Sequence, residues 1–404
     1  MANLNPQIAL ETELSNQIYN ALKGDVVESI LKAADIPSEN DAYWQSKMEG
    51  HCMKVEKKLL PELYALFQEV KETLNYTAPV DLFVTGNSDI NAFSLATEAE
   101  DKPNIVNINS GLLDLMSNDE LKFVIGHELG HLMNKDTELR RLLYFIYPPE
   151  ATQIPILLQY KIRLHDQLAE LVADRYGYLA CRNLDACVSA FFKMASGLDL
   201  VKMNVKIEDL LEDNARRLEF FTKGEGMSRY DHPVNPIRIQ AINLYAKAES
   251  EEQLDKEMDD LIQILLKLGN DPLNWPMSIF IASAGLIVAE LDGQITDSEI
   301  DHIIGNLAGL QIFPKDFLQA VAKNDRDKLF TEAVNNILNI DPSMKDNLLY
   351  YMISLVLTDK EIAENEFGFI FQIGQQMGFT VKEISRMFAS AMQKNYNPSI
   401  ASIS

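Results

Sequence analysis

The stretch Gly126-His127-Glu128-Leu129-Gly130-His131 decides how the chain is read. Ser117 precedes it with Glu120 three residues on, the spacing of a capping box, which predicts a helix opening at Ser117. Leu121, Val124, Ile125, Leu129 and Leu132 then fall at helical spacing and give that helix an apolar face. Residues four apart on a helix lie about 40° apart around its axis, so the imidazoles of His127 and His131 can reach one ion. Neutral imidazole suits Zn²⁺, and two such ligands leave room for a third protein ligand and a water. Glu128 directly follows the first imidazole, where a carboxylate takes a proton from that water instead of binding the metal. A surface helix that happens to carry two histidines fits poorly after Phe123-Val124-Ile125-Gly126, because two imidazoles and a carboxylate on an apolar helix need a partner. The pattern points to metal-assisted hydrolysis.

With 404 residues the chain has room for two or three domains. Its net charge of −24 argues against nucleic acid and anionic membrane surfaces as partners. Cys52, Cys181 and Cys187 are too few and too unevenly spaced for a disulfide framework or a cysteine-rich zinc site, which leaves three reduced thiols as the expectation. The start Met1-Ala2-Asn3-Leu4-Asn5-Pro6 lacks the basic and apolar regions of a signal peptide. The longest apolar run, Pro276 to Ala289, is short of the roughly 20 residues that span a bilayer. Leu142 to Leu158 is broken by Pro148, Pro149, Glu150 and Pro155. A soluble cytoplasmic protein without an integral membrane segment is expected.

Around the motif, residues 1–75 read as helices. Leu14, Ile18, Leu22, Val26 and Val27 form one stripe, Leu59 to Thr73 carries another, and Ile36-Pro37-Ser38-Glu39-Asn40 is the expected break. Tyr43 and Trp44 read as core or packing residues, and the His51-Cys52 pair, isolated as it is, is a poor signal for a metal site. Strands are expected at Val80–Val84, Asn91–Leu95 and Ile105–Asn109. In the last, Asn107 and Asn109 alternate with Val106 and Ile108, which suggests a half-buried strand at a sheet edge.

A long helix is expected from Leu157 to Arg182, where Asp166, Glu170 and Asp174 share a face. Spacing alone leaves a solvated acidic face as open as a metal ligand. Ala169 and Ala173 are small at the same spacing as Gly126 and Gly130, so two such helices could approach closely enough to share an ion. His232-Pro233, before a helix from Val234 to Ala246 that carries Arg238, is weak evidence alone. Residues 249–260 are acidic, and Gly269-Asn270-Asp271-Pro272 marks a boundary. Beyond it the chain reads as short amphipathic helices with an internal repeat. Glu290-Leu291-Asp292-Gly293 through Glu299 matches Leu357-Thr358-Asp359-Lys360 through Glu366, 67 residues later. Asp292, Asp297 and Glu299 offer oxygen ligands, but Lys360 in place of Gly293 favours helix caps over ion loops.

Taken together, residues 78–245 resemble the soluble branch of the HtpX-like and CAAX-protease-like zinc endopeptidases among the gluzincins. The resemblance rests on Asn91-Ala92-Phe93, Ser110-Gly111-Leu112-Leu113-Asp114, His127-Glu128-Leu129-Gly130-His131, Glu170-Leu171-Val172-Ala173-Asp174-Arg175 and His232-Pro233 with Arg238-Ile239. The metzincin pattern fails, with Asn134 where its glycine and Thr137 where its third histidine would stand. The resemblance implies one Zn²⁺ per chain held by His127, His131 and Glu170, with Asp174 accepting a hydrogen bond from a ligand histidine. It further implies Glu128 as general base, and His232, with Arg238 as a second candidate, stabilising the oxyanion. Strand 105–109 would hold a protein or peptide substrate in extended form. Lack of spanning helices removes membrane-embedded substrates. Residues 271–400 more faintly resemble a tellurite-resistance TerB-like domain, which implies an interaction or regulatory role, toward a partner protein or the peptidase itself.

The expected fold is α+β and mostly α. A helical segment 1–75 packs on a zincin-like catalytic domain 76–255 with a small β-sheet, and an all-α domain follows at 270–404. The alternative is a non-catalytic metal-binding protein whose C-terminal half does the work, for which a retained Glu128 would be superfluous.

Overall fold

The computed structural model describes residues 4–34, 36–97, 102–148, 154–222, 232–267, 272–291, 312–314, 317–357 and 364–396, with backbone alone at 36–41, 156 and 394–396. The chain divides into two compact units, Met1–Ile154 with Lys161–Leu265, and Pro155–Tyr160 with Leu266–Ser404. The N-terminal helices thus fall in the same unit as the sheet and the HExxH helix. No helix among the described residues is long and apolar enough to cross a membrane.

The first unit holds a mixed sheet of β1 (Met53–Lys54), β2 (Val80–Thr85), β3 (Ala92–Leu95) and β4 (Asn104–Asn109), in the order β1-β2-β4-β3. β2 and β4 run parallel from Val80↔Asn104 to Thr85↔Asn109, while β3 pairs antiparallel to β4 from Ala92↔Ile108 to Leu95↔Ile105. The edge assignment of 105–109 is therefore corrected. β4 lies between β2 and β3, both its flanks are hydrogen-bonded, and Ile105, Val106, Asn107, Ile108 and Asn109 are all buried. The two asparagines misled because their partners lie inside. Thr85 Oγ1 donates to Asn107 Oδ1 at 2.7 Å, so a polar side chain in the pleat is satisfied without water.

Two helix boundaries also moved. Lys23, at φ 56°, ends the first helix (Ala9–Ala21) and starts the next (Gly24–Ala33). Ile36-Pro37 instead opens the helix Ile36–His51, since proline is tolerated in a first turn, where its missing N–H costs nothing. Of the first expected stripe, Leu14, Ile18, Leu22 and Val27 are buried and Val26 is exposed.

The HExxH helix spans Asn118–Asn134 and opens with the expected capping box: the Ser117 hydroxyl accepts from Glu120 N, and Ser117 N donates to Glu120 Oε2 at 2.6 Å. Glu120 also takes Lys193 Nζ at 2.8 Å, a buried charge pair that fixes this helix end. The long helix Ile156–Cys181 lies against it. A Cβ on Gly130 would sit 3.0 Å from Ala173 Cα, and one on Gly126 2.5 Å from Ala180 Cβ, so the two backbones meet only because the seam is small. Gly177 completes it, with Phe123 where a Cβ would stand.

The second unit is helical among the described residues. Asn274–Glu290, Arg326–Ile340, Lys345–Val356, Glu364–Gln376 and Val381–Tyr396 enclose Phe280, Ile281, Leu286, Ile337, Leu348 and Ile353. Most of both repeat copies, including Asp292, Asp297, Glu299 and Lys360, lies outside the described residues.

Candidate active site

The small seam sets the HExxH helix beside the long helix at the height of His131 and Glu170. His127 Nε2 and His131 Nε2 face each other at 3.1 Å. Glu170 turns one oxygen to each, Oε2 to His127 Nε2 and Oε1 to His131 Nε2, both at 3.5 Å. Among the described residues this is one of two groups whose ligand atoms all lie within 4.8 Å of one another; the other is Glu11, Asp136 and His165. Asp166 lines the same cleft but is not in that group; it has His165 Nδ1 at 3.2 Å and Arg140 at 3.7 Å.

Each imidazole has a carboxylate behind it. His127 Nδ1 lies 2.9 Å from Asp174 Oδ1, and His131 Nδ1 lies 2.8 Å from Asp136 Oδ2. A carboxylate at Nδ1 keeps the proton there and turns the Nε2 lone pair toward the other histidine. Two converging lone pairs beside a carboxylate repel unless a proton or cation lies between them. Ligand nitrogens on a tetrahedral zinc ion stand about 3.3 Å apart, so the donor set fits that ion. Asp136 had no signal in the spacing. It is delivered by Lys135, whose left-handed φ of 62° folds the chain back into the helix Asp136–Ile146.

Arg238 locks the other side. Its Nε and one terminal nitrogen donate to Asp174 at 2.8 and 2.6 Å, and it reaches Glu170 Oε2 at 3.3 Å. Phe191 lies under the guanidinium, 4.9 Å away, on the helix Leu184–Ser196, which the sequence reading did not identify. Arg238, considered for the oxyanion, is buried with its fork on Asp174, while part of it lines the cleft. His232 is 60% exposed, with Nδ1 2.8 Å from Glu170 Oε1. Glu128 is buried and lines the same cleft.

Electrostatics follow from this packing. Burial would raise the pKa of Glu170, but Arg238, His232 and the two facing histidines hold it well below the ordinary range. Asp174 is likewise lowered, because the Arg238 ion pair overrides full burial. Burial pulls His131 down, yet the hydrogen bond to Asp136 and the charges of Glu170, Asp136 and Glu128 outweigh it and raise it to about 9. The cleft has a volume of about 790 Å³. Ala92, Phe93 and Ser94 of β3 line one part of it, His232 and Pro233 another. β3, not β4, is the outer strand of the sheet there. Asn109 N donates to Asn91 O at 3.0 Å, so pairing alternates to leave Ala92 and Ser94 with their backbone groups outward.

Residues 59–159, which hold His127, Glu128 and His131, match Peptidase family M48. The chain is 26% identical over 246 residues to Plastoglobule-localized metallopeptidase 48, chloroplastic, of Arabidopsis thaliana, covering 58% of this chain and 67% of that one. It is 37% identical over 76 residues to a Protease HtpX homolog of Thermococcus kodakarensis, 19% of this chain and 25% of the other. A Protease HtpX homolog of Trichormus variabilis is 35% identical over 83 residues, 20% of this chain and 28% of its own. The chain thus spans about a quarter of these HtpX relatives. No solved structure matches. The matches support kinship with peptidase family M48 over the segment that carries both histidines and Glu128.

Proposed function

We propose that the chain is a zinc-dependent metalloendopeptidase of family M48, acting in the cytoplasm on soluble proteins or peptides. The observation that carries this is the convergence of His127, His131 and Glu170 beside Glu128 in an open cleft. One zinc ion held by those three residues would supply Lewis acidity, lowering the pKa of a water toward neutrality and polarising a substrate carbonyl. Glu128 is the general base: it takes a proton from the attacking water and later delivers one to the leaving amine. His232, on the exposed rim, donates to the carbonyl oxygen as charge develops there. Asp174 and Asp136 hold the ligand imidazoles in one tautomer, and Arg238 keeps Asp174 and Glu170 ionised and in place. The outward backbone groups of Ala92 and Ser94 take the substrate as an added strand, a mode that reads main chain before side chains. The second helical unit is assigned a TerB-like fold and a regulatory or interaction role.

Zinc content, measured alongside casein turnover, tests this reading. One zinc per chain, with turnover that disappears on chelation and returns on reloading, supports it. Bound zinc without turnover, or turnover that survives chelation, overturns it.

A further inference from the structure

Asn134 closes the HExxH helix, and its amide nitrogen donates to two carboxylates. One bond, 2.7 Å, goes to Asp136 Oδ1, whose other oxygen faces His131 Nδ1. The second, 3.1 Å, goes to Glu11 Oε1, 123 residues away on the N-terminal helix Ala9–Ala21. An amide has two hydrogens, so both are used, one per carboxylate. Glu11 Oε1 also lies 3.1 Å from His165 Nε2, and Glu11 and His165 are each 2% exposed.

An acid in a first helical turn is ordinarily a solvated group that favours the helix dipole. Glu11 is buried instead, and the strand of chain before it is tied to the two helices that carry Glu170 and Arg238. The Tyr245 hydroxyl donates to Leu4 O at 2.7 Å, and Arg175 donates to Pro6 O at 3.3 Å and Gln7 O at 3.1 Å. That fixes where Glu11 arrives. Glu11, Asp136 and His165 also form a group that could hold an ion. The Asn134 amide already bridges the two carboxylates, however, and His165 is engaged on both sides, its Nε2 on Glu11 and its Nδ1 on Asp166 at 3.2 Å.

We propose that Glu11 is a positioning residue of the metal centre: through Asn134 it holds Asp136, and through Asp136 it fixes the ring of His131. The N-terminal helix then completes the site rather than merely covering it. This inference rests on the metallopeptidase reading of the same centre.

The test is the zinc dissociation constant of the full chain, by competition with a chromophoric chelator, with circular dichroism of the metal-free form as the fold control. Asp136→Asn, the direct partner, should weaken zinc by about 10- to 100-fold. Glu11→Leu and Asn134→Leu should each weaken it by roughly five- to tenfold, and the double variant should be no worse than the poorer single one. Glu11→Gln keeps an acceptor for Asn134 and should stay within about threefold of the unaltered chain. If Glu11→Leu fails to fold, half-buried Asn134 decides alone. Unchanged zinc affinity in Asn134→Leu, or in folded Glu11→Leu, while Asp136→Asn weakens it overturns the inference and leaves the metallopeptidase reading standing. Two zinc ions per chain, falling to one in Glu11→Leu, overturn it in favour of a second metal site. No zinc in the unaltered chain overturns both.

Discussion

Asp174→Asn removes one charge from the most enclosed part of the site and keeps the side chain's shape. Asp174 is fully buried, accepts two hydrogen bonds from Arg238 and lies 2.9 Å from His127 Nδ1. The substitution leaves Arg238 buried with Glu170, 3.3 Å away, and the charge of Glu128 to balance it, and turns an amide N–H toward one guanidinium N–H. Breaking a buried pair from one side costs about 3–5 kcal/mol. The remaining Glu170 contact places this case near about 3 kcal/mol, or a melting point lower by roughly 6–12 °C for a unit of this size. The pH dependence has a definite sign. The folded pKa of Asp174 is depressed, so its stabilisation is complete above the ordinary aspartate value near about 4 and is lost as pH falls through the lower folded value. The gap between the two proteins should therefore hold from pH 7 to about pH 4 and close below. Urea denaturation of the metal-free chains across that range measures it. Adding Arg238→Met should cost less than the sum of the two single changes, because the stranded charge is gone. A loss below about 1 kcal/mol at pH 7 would refute the claim that this pair holds the site together.

Glu170→Ala should abolish stoichiometric zinc binding, read by equilibrium dialysis; normal binding would exclude it as the third ligand. His131 is raised to about 9, and zinc must displace its proton, so affinity should rise about tenfold per pH unit from pH 6 toward 9 and then level. A flat profile in chelator competition would contradict the proton count. Ser94→Pro removes an outward N–H from β3 and should lower casein turnover while zinc content holds, whereas unchanged turnover would place the substrate elsewhere.

The sequence carried the site's first layer because each feature is local. Ser117 and Glu120 cap the helix, four-residue spacing joins His127 to His131, and paired small residues announce the seam with Ala173. Glu170 and Asp174 were candidates by spacing, but only their resemblance to a known pattern separated them from a solvated acidic face. The partners that arrive through tertiary contact left no trace in the pattern. Asp136 depends on a left-handed Lys135, a conformation usually signalled by glycine. Glu11 depends on a helix folding back across 123 residues. β4 was mistaken for an edge because alternating asparagines resemble a wet face, while Thr85 satisfies Asn107 inside the sheet. Lys23 adds a break inside the first stripe that nothing in the pattern announced. The break expected at Ile36-Pro37 falls at a junction, where one helix ends at Ala33 and the next opens at Ile36 with proline in its first turn.

The central claim is that Glu128 moves a proton beside a metal held by His127, His131 and Glu170. Its most direct test is Glu128→Gln, with zinc content and casein turnover measured on the same preparation. The account predicts one zinc per chain, an unchanged fold and turnover lower by at least about two decades. Turnover within tenfold of the unaltered chain, with zinc intact, would contradict it.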